Sequence, residues 1–148
     1  MARTINAAGL ALIKHFEGCR LTAYQDIAGI WTIGYGHTGG VTDGMVITQD
    51  QADLFLQEDL QGAAGAVDAA VEQTTTSDNQ FAAMVSLCYN IGPRAFKSST
   101  MLRQHRAGAT ATAANAFLMW SKSTIDGELH VVQGLLDRRQ AERGLYLT

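Results

Sequence analysis

Two cysteines, one proline and few aromatic residues in 148 leave several classes of protein out of reach. Cys19 and Cys88 are far apart, with no C-x-x-C and no His pair beside either, so the sequence suggests neither a disulfide framework nor a metal site. They read as two ordinary thiols. A single proline, no low-complexity linker and a mean hydropathy of −0.01 argue against disordered and fibrous chains. No apolar run approaches the roughly 20 residues that cross a bilayer. The stretch from Met1 to Ile13 also lacks the basic start and apolar run of a secretory signal. The expectation is a folded protein that stays in the compartment where it is made unless something releases it, with no stable membrane insertion.

Positive charge is scarce in the first part of the chain. Up to Pro93 there are three Lys or Arg against ten Asp or Glu, and from Arg94 onward eight against four, within a net charge of −3. The basic residues are scattered and carry no interleaved stacking aromatics, so solvated helix faces explain them better than a nucleic-acid partner does.

What is present is a set of ordered periodicities long enough for one domain with its own core. Asn6 caps a helical pattern with Leu10, Ile13 and Phe16 on one face, and Gly18 stops it just after Glu17. The period then changes to that of strands in "LTAYQD" and "IWTIGYG", with "IAG" as the hairpin loop, a turn at "HTGG" and a short "MVI" strand. Thr48 and Gln51 form a capping box for a long helix whose continuity past Gly62 and Gly65 is open. Ser77 and Gln80 form another, ahead of Phe81, Val85 and Cys88 at helical spacing. Beyond Pro93, "STMLRQHRAG", "ATATAANAFLMWSK" and "VQGLLDRRQAERGLYL" read as three more helices, with Trp31 and Trp120 in the core. The fold class is α+β and mostly helical, with a small hairpin near the front.

Two acidic residues stand out by position. Glu17 falls in the last turn of its helix, where the negative end of the helix dipole and the apolar neighbours Ile13 and Phe16 work against a second anion. Such a carboxyl suits a general acid, which must carry its proton. Asp26 closes a strand in polar surroundings. If Ile27, Ala28 and Gly29 are the loop, Tyr24 lies opposite Thr32, and Asp26 shares a sheet face with Thr32 at a diagonal of roughly 7–8 Å. One acid, one carboxylate and a hydroxyl are the parts needed to hydrolyse a glycosidic bond.

The stretch "EGCRLTAYQDIAGIWTIGYGHT" resembles the active-site segment of phage-type lysozymes, glycoside hydrolase family 24. Glu17, Asp26 and Thr32 match that family's Glu, the Asp nine residues on and the Thr six beyond it. The likeness continues through "SLCYNIGPRAFKSSTMLR", "AANAFLMWSK" and "GLLDRRQAER", about Asn6 to Leu147. It departs at Pro93-Arg94 and at "SKSTIDGELHVVQG", which is longer and more polar than the short turn expected there.

The resemblance implies a single lysozyme-like domain, with a small lobe over about residues 1–62, a larger helical lobe over about 63–148, and an active-site cleft between them. It implies an endolysin that cleaves the β-1,4 bond between N-acetylmuramic acid and N-acetylglucosamine in peptidoglycan, with inversion. Glu17 would be the acid, Asp26 would hold or activate water, and Thr32 would hydrogen-bond that water. Tyr35, Tyr89 and Asn90 would face substrate, and His37 would be a structural partner for a nearby carboxylate. Arg138, Arg139 and Arg143 would bind acids within the helical lobe. No metal or cofactor is implied. The protein would act as a monomer on glycan strands, accumulate in the host cytoplasm, and reach the periplasmic wall when a holin opens the inner membrane. A lytic transglycosylase and a wall-binding protein without turnover are the rival readings.

Overall fold

Asn6 opens the first helix by accepting the Gly9 amide on its Oδ1 at 2.9 Å. The structure, a computed structural model, describes residues 3–148. Helix α1 (Ala7–Glu17) stops where Gly18 turns left-handed at φ 68° and bonds back to the Lys14 carbonyl. Strands β1 (Arg20–Gln25) and β2 (Trp31–Gly34) then pair antiparallel, with Tyr24 opposite Thr32 as the sequence predicts and an irregular register between Arg20 and Tyr24. The "MVI" segment is not a strand. It meets β1 through one bridge, Thr22 to Val46, because Gly44 turns the chain just before it at φ 82° and the next helix starts at Gln49.

That helix, α2 (Gln49–Ala70), starts from the expected Thr48/Gln51 capping box and runs unbroken through both glycines. Leu56, Leu60, Ala63 and Val67 are buried along one side. Burying a Leu or Val side chain yields about 1.5–3 kcal/mol, which outweighs the ~1 kcal/mol each glycine costs.

The chain divides into two compact units. Ile13–Gln61 form one, with a core of Ile13, Ile33, Tyr35, Ile47, Leu56 and Leu60. Gly62–Thr148 and the N-terminal segment through Leu12 form the other. The sequence reading keeps residues 1–62 together; Gly9 accounts for the difference. A Cβ there would lie 2.5 Å from that of Ala82, so only glycine lets the start of α1 rest against α3 (Asp78–Ile91). Arg3 adds a 2.8 Å hydrogen bond to the Thr76 carbonyl and a 2.9 Å ion pair to Asp78.

Helix α3 carries the predicted Ser77/Gln80 box and buries every residue from Phe81 to Cys88. It packs on α7 (Gln133–Tyr146). The stretch between them departs from expectation in three ways. Pro93 supplies the first turn of an additional short helix, α4 (Pro93–Lys97), because its missing N–H costs nothing at that position. After α5 (Thr100–Arg106) comes α6 (Thr110–Ala116), which gives way to a 3₁₀ turn over Phe117–Trp120. The polar segment "SKSTIDGELHVVQG" forms a second hairpin, β3 (Lys122–Ile125) and β4 (Glu128–Val131), exposed throughout. Trp31 and Trp120 are half-buried, not in the core.

Candidate active site

Glu17 ends α1 half-buried, and the hairpin brings glycine to it. A Cβ on Gly36, held at φ 88°, would stand 3.5 Å from the Glu17 Oε2. A left-handed glycine therefore lets the backbone pass close beside this carboxyl.

Asp26 and Thr32 are tied to one residue between them. Ile30 donates its amide to Asp26 Oδ1 at 2.9 Å, and the Ala28 amide donates to the same oxygen at 2.9 Å. The Ile30 carbonyl accepts the Asp26 amide and the Thr32 hydroxyl, each at 2.9 Å. The Asp26 side chain thus builds the turn it sits on, with one oxygen engaged. Thr32 is 4% exposed and its hydroxyl hydrogen is already donated, so its oxygen can act toward a further group only as an acceptor. Sequence pattern finds both residues but not Ile30, whose part is played by backbone atoms.

His37 bonds a carboxylate, as its expected role requires. Its Nδ1 lies 2.8 Å from Asp59 Oδ2 on α2, its Nε2 lies 2.9 Å from the Gly39 carbonyl oxygen, and its ring stacks on Phe55 at 4.2 Å. Asp59 and Phe55, four residues apart on one helix, are the partners sequence reasoning missed. Tyr35 is 8% exposed and accepts from Gln49 Nε2 at 3.0 Å, so its ring is hairpin packing with little surface left for a sugar. Gln49 and Lys14 both engage Asp53 and hold its carboxyl below the usual range.

Tyr89 and Asn90 belong to the helical unit, half-buried and exposed at the end of α3. In that unit Arg139 Nε lies 2.7 Å from Glu142 Oε1, Arg138 Nε lies 3.4 Å from Oε2, and Ser86 donates to Oε2. Arg143 donates from Nε to the Asn115 amide oxygen at 2.9 Å and, among the described residues, makes no ion pair. Cys19 is exposed, and Cys88 is buried with its thiol pushed up to about 11 by desolvation. Among the described residues no helix is long and apolar enough to cross a membrane.

A helix-end Glu, a small hairpin bearing Asp and Thr, and a larger helical unit define a lysozyme-like protein. The phage lysozyme family profile matches residues 14–142. An endolysin of Acyrthosiphon pisum secondary endosymbiont phage 1 is 44% identical over 142 residues, 96% of this chain and 97% of that one. The solved muramidase domain of SpmX from Asticaccaulis excentricus superimposes with a TM-score of 0.93 at 41% identity, covering 99% of each chain. A variant of the P22 lysozyme gives 0.88 at 42% identity, again over 99% of each. The chain belongs to the phage lysozyme family.

Proposed function

We propose that this lysozyme-family glycoside hydrolase is an endolysin that cuts the β-1,4 bond between N-acetylmuramic acid and N-acetylglucosamine in peptidoglycan. Glu17 gives its proton to the glycosidic oxygen as the bond to the anomeric carbon breaks. Water adds to that carbon and loses a proton to Asp26. The linkage through Ile30 is the observation that carries this reading. A water between Asp26 and Thr32 meets two acceptors, a carboxylate and a hydroxyl whose hydrogen is taken by Ile30. It must donate both its hydrogens, which turns a lone pair outward for attack. A water-mediated displacement inverts the anomeric centre.

Tyr89 and Asn90 contribute to substrate binding, and His37 fixes the hairpin through Asp59. The protein works as a monomer without metal or cofactor, accumulates in the host cytoplasm, and meets the wall after a holin opens the inner membrane. Nucleic acid has no part in it.

Digestion of purified sacculi by the unaltered chain and by Glu17→Gln tests the reading. The unaltered chain releases muropeptides with water added to the reducing end. The variant keeps its thermal midpoint and loses turnover by roughly 10²–10⁴-fold, the usual worth of a general acid. Anhydro-sugar products would make the protein a transglycosylase, and binding without release would remove catalysis from it.

A further inference from the structure

The unit Ile13–Gln61 holds seven carboxylates and two cations, Lys14 and Arg20. Lys14 is taken by Asp53 at 3.2 Å. Arg20 is exposed and, among the described residues, makes no ion pair. It lies on the ring of Tyr24 instead, with the guanidinium carbon 4.2 Å from the ring centroid. An exposed arginine on so acidic a unit has carboxylates to choose from, and this one is held away from them by an aromatic plate. Stacking orders the guanidinium and leaves its edge, the side that donates paired N–H bonds, directed outward.

The plate is part of the hairpin that carries the proposed water site. Tyr24 directly faces Thr32 across the sheet, a pairing that sets side chains on one face with Cβ atoms about 4.5–5.5 Å apart. Asp26 follows two residues after Tyr24, just past the end of β1 at the start of the turn. A cation without an ion pair among the described residues therefore stands on the same strand pair as the carboxylate and hydroxyl proposed to hold water, linked to them through Tyr24. For an anionic polymer approaching this net-acidic unit, Arg20 is the cation left without a carboxylate partner among the described residues.

We propose that Arg20, held flat on Tyr24, binds a carboxylate of the glycan strand and makes the enzyme prefer carboxylate-bearing peptidoglycan over its neutralised form. The proposal rests on the hydrolase reading and adds a specificity-determining residue to it. Two parts of the polymer offer this chemistry: the acidic residues of the stem peptide, and the lactyl group of muramic acid where no peptide is attached.

Three substrates test the proposal: native sacculi, sacculi whose carboxylates have been amidated, and peptide-stripped strands that keep free lactyl groups. Each is digested by the unaltered chain, Arg20→Gln and Arg20→Lys, with thermal midpoints measured alongside. On native sacculi Arg20→Gln lowers kcat/KM about tenfold through KM, the scale of one charge-assisted hydrogen bond. Arg20→Lys recovers part of the loss. On amidated sacculi the unaltered chain slows and the gap between it and Arg20→Gln closes. A gap that persists on stripped strands identifies the lactyl carboxylate, and one that vanishes there identifies the stem peptide. Equal losses on native and amidated sacculi would reduce Arg20 to a brace for the hairpin, and no loss on either would remove its role; both overturn the proposal while leaving hydrolysis intact. Failure of the unaltered chain on all three would instead overturn the hydrolase reading, and this subsite with it.

Discussion

Among the described residues there are two antiparallel hairpins of similar size that are stabilised in different ways. In the first, every residue of β2 after Trp31 is buried, the register slips between Arg20 and Tyr24, and side chains bond the loop backbone at Asp26 and Thr32. In the second, the register is regular over four pairs, all eight strand residues are exposed, and the turn is made by Asp126 at φ 51° and Gly127 at φ 78°. The second depends on turn chemistry and cross-strand contacts alone. The first gives up regularity between Arg20 and Tyr24, and the proposed water site of Asp26 and Thr32 lies beyond that slip, at its loop end. Burial of one face makes that tolerable, because a strand anchored by Ile33 cannot slip to relieve the bulge.

The comparison can be broken most severely at Asp26, whose side chain builds the turn and is the proposed base. Asp26→Asn keeps an oxygen for the Ala28 and Ile30 amides but loses the base, so turnover falls roughly 10²–10⁴-fold with little change in thermal midpoint. Asp26→Ala loses the turn contacts as well, and the midpoint falls too. Parallel denaturant titrations and activity assays separate the two duties.

Burial is the next difference to perturb. Ile33→Ala, at a residue with no exposure, costs about 2–5 kcal/mol. Leu129→Ala, at one 66% exposed in the second hairpin, stays within about 0.5 kcal/mol. Urea unfolding midpoints measure both, and similar costs would mean that the two hairpins are anchored alike.

A smaller effect touches neither hairpin and serves as their reference. His105 Nδ1 accepts from the Tyr146 hydroxyl at 2.7 Å, its Nε2 donates to Thr76 Oγ1 at 2.8 Å, and burial holds its pKa below the ordinary 6.5. The same burial pushes the Tyr146 hydroxyl up to about 12. At His105, whose pKa is lowered by folding, the unfolded chain therefore binds the proton more readily. The stability this neutral ring contributes is complete above about pH 6.5 and is lost as pH falls toward the lower folded value. In His105→Gln the stability profile below pH 6.5 flattens, as chemical denaturation at a series of pH values would register.

The contrast between the hairpins also explains what the sequence could disclose. The first hairpin was legible because Thr, Tyr, Ile and Trp alternate around a glycine loop, and α2 and α3 because their capping boxes precede apolar stripes. The second hairpin had no buried face to imprint a pattern on its residues, so "STIDGELHV" looked like a polar connection. Helix α4 escaped because its signal is a single proline read as a break. At the proposed site, spacing and family resemblance nominate Glu17, Asp26 and Thr32, and the structure adds how Asp26 and Thr32 are joined through Ile30. The Ile30 link and the identity of His37's carboxylate partner, Asp59, were invisible, one being main chain and the other a contact made only on folding. For Tyr35, an aromatic next to a glycine turn suits stacking and packing equally, and only the fold shows it to be 8% exposed.

The central claim is that a water held by Asp26 and Thr32 attacks from the face opposite the leaving group protonated by Glu17. Proton NMR of a defined β-1,4-linked muropeptide oligomer, followed from the first turnover before mutarotation, tests it directly. The account predicts that the newly released reducing end appears first as the α anomer; a β anomer appearing first would contradict it.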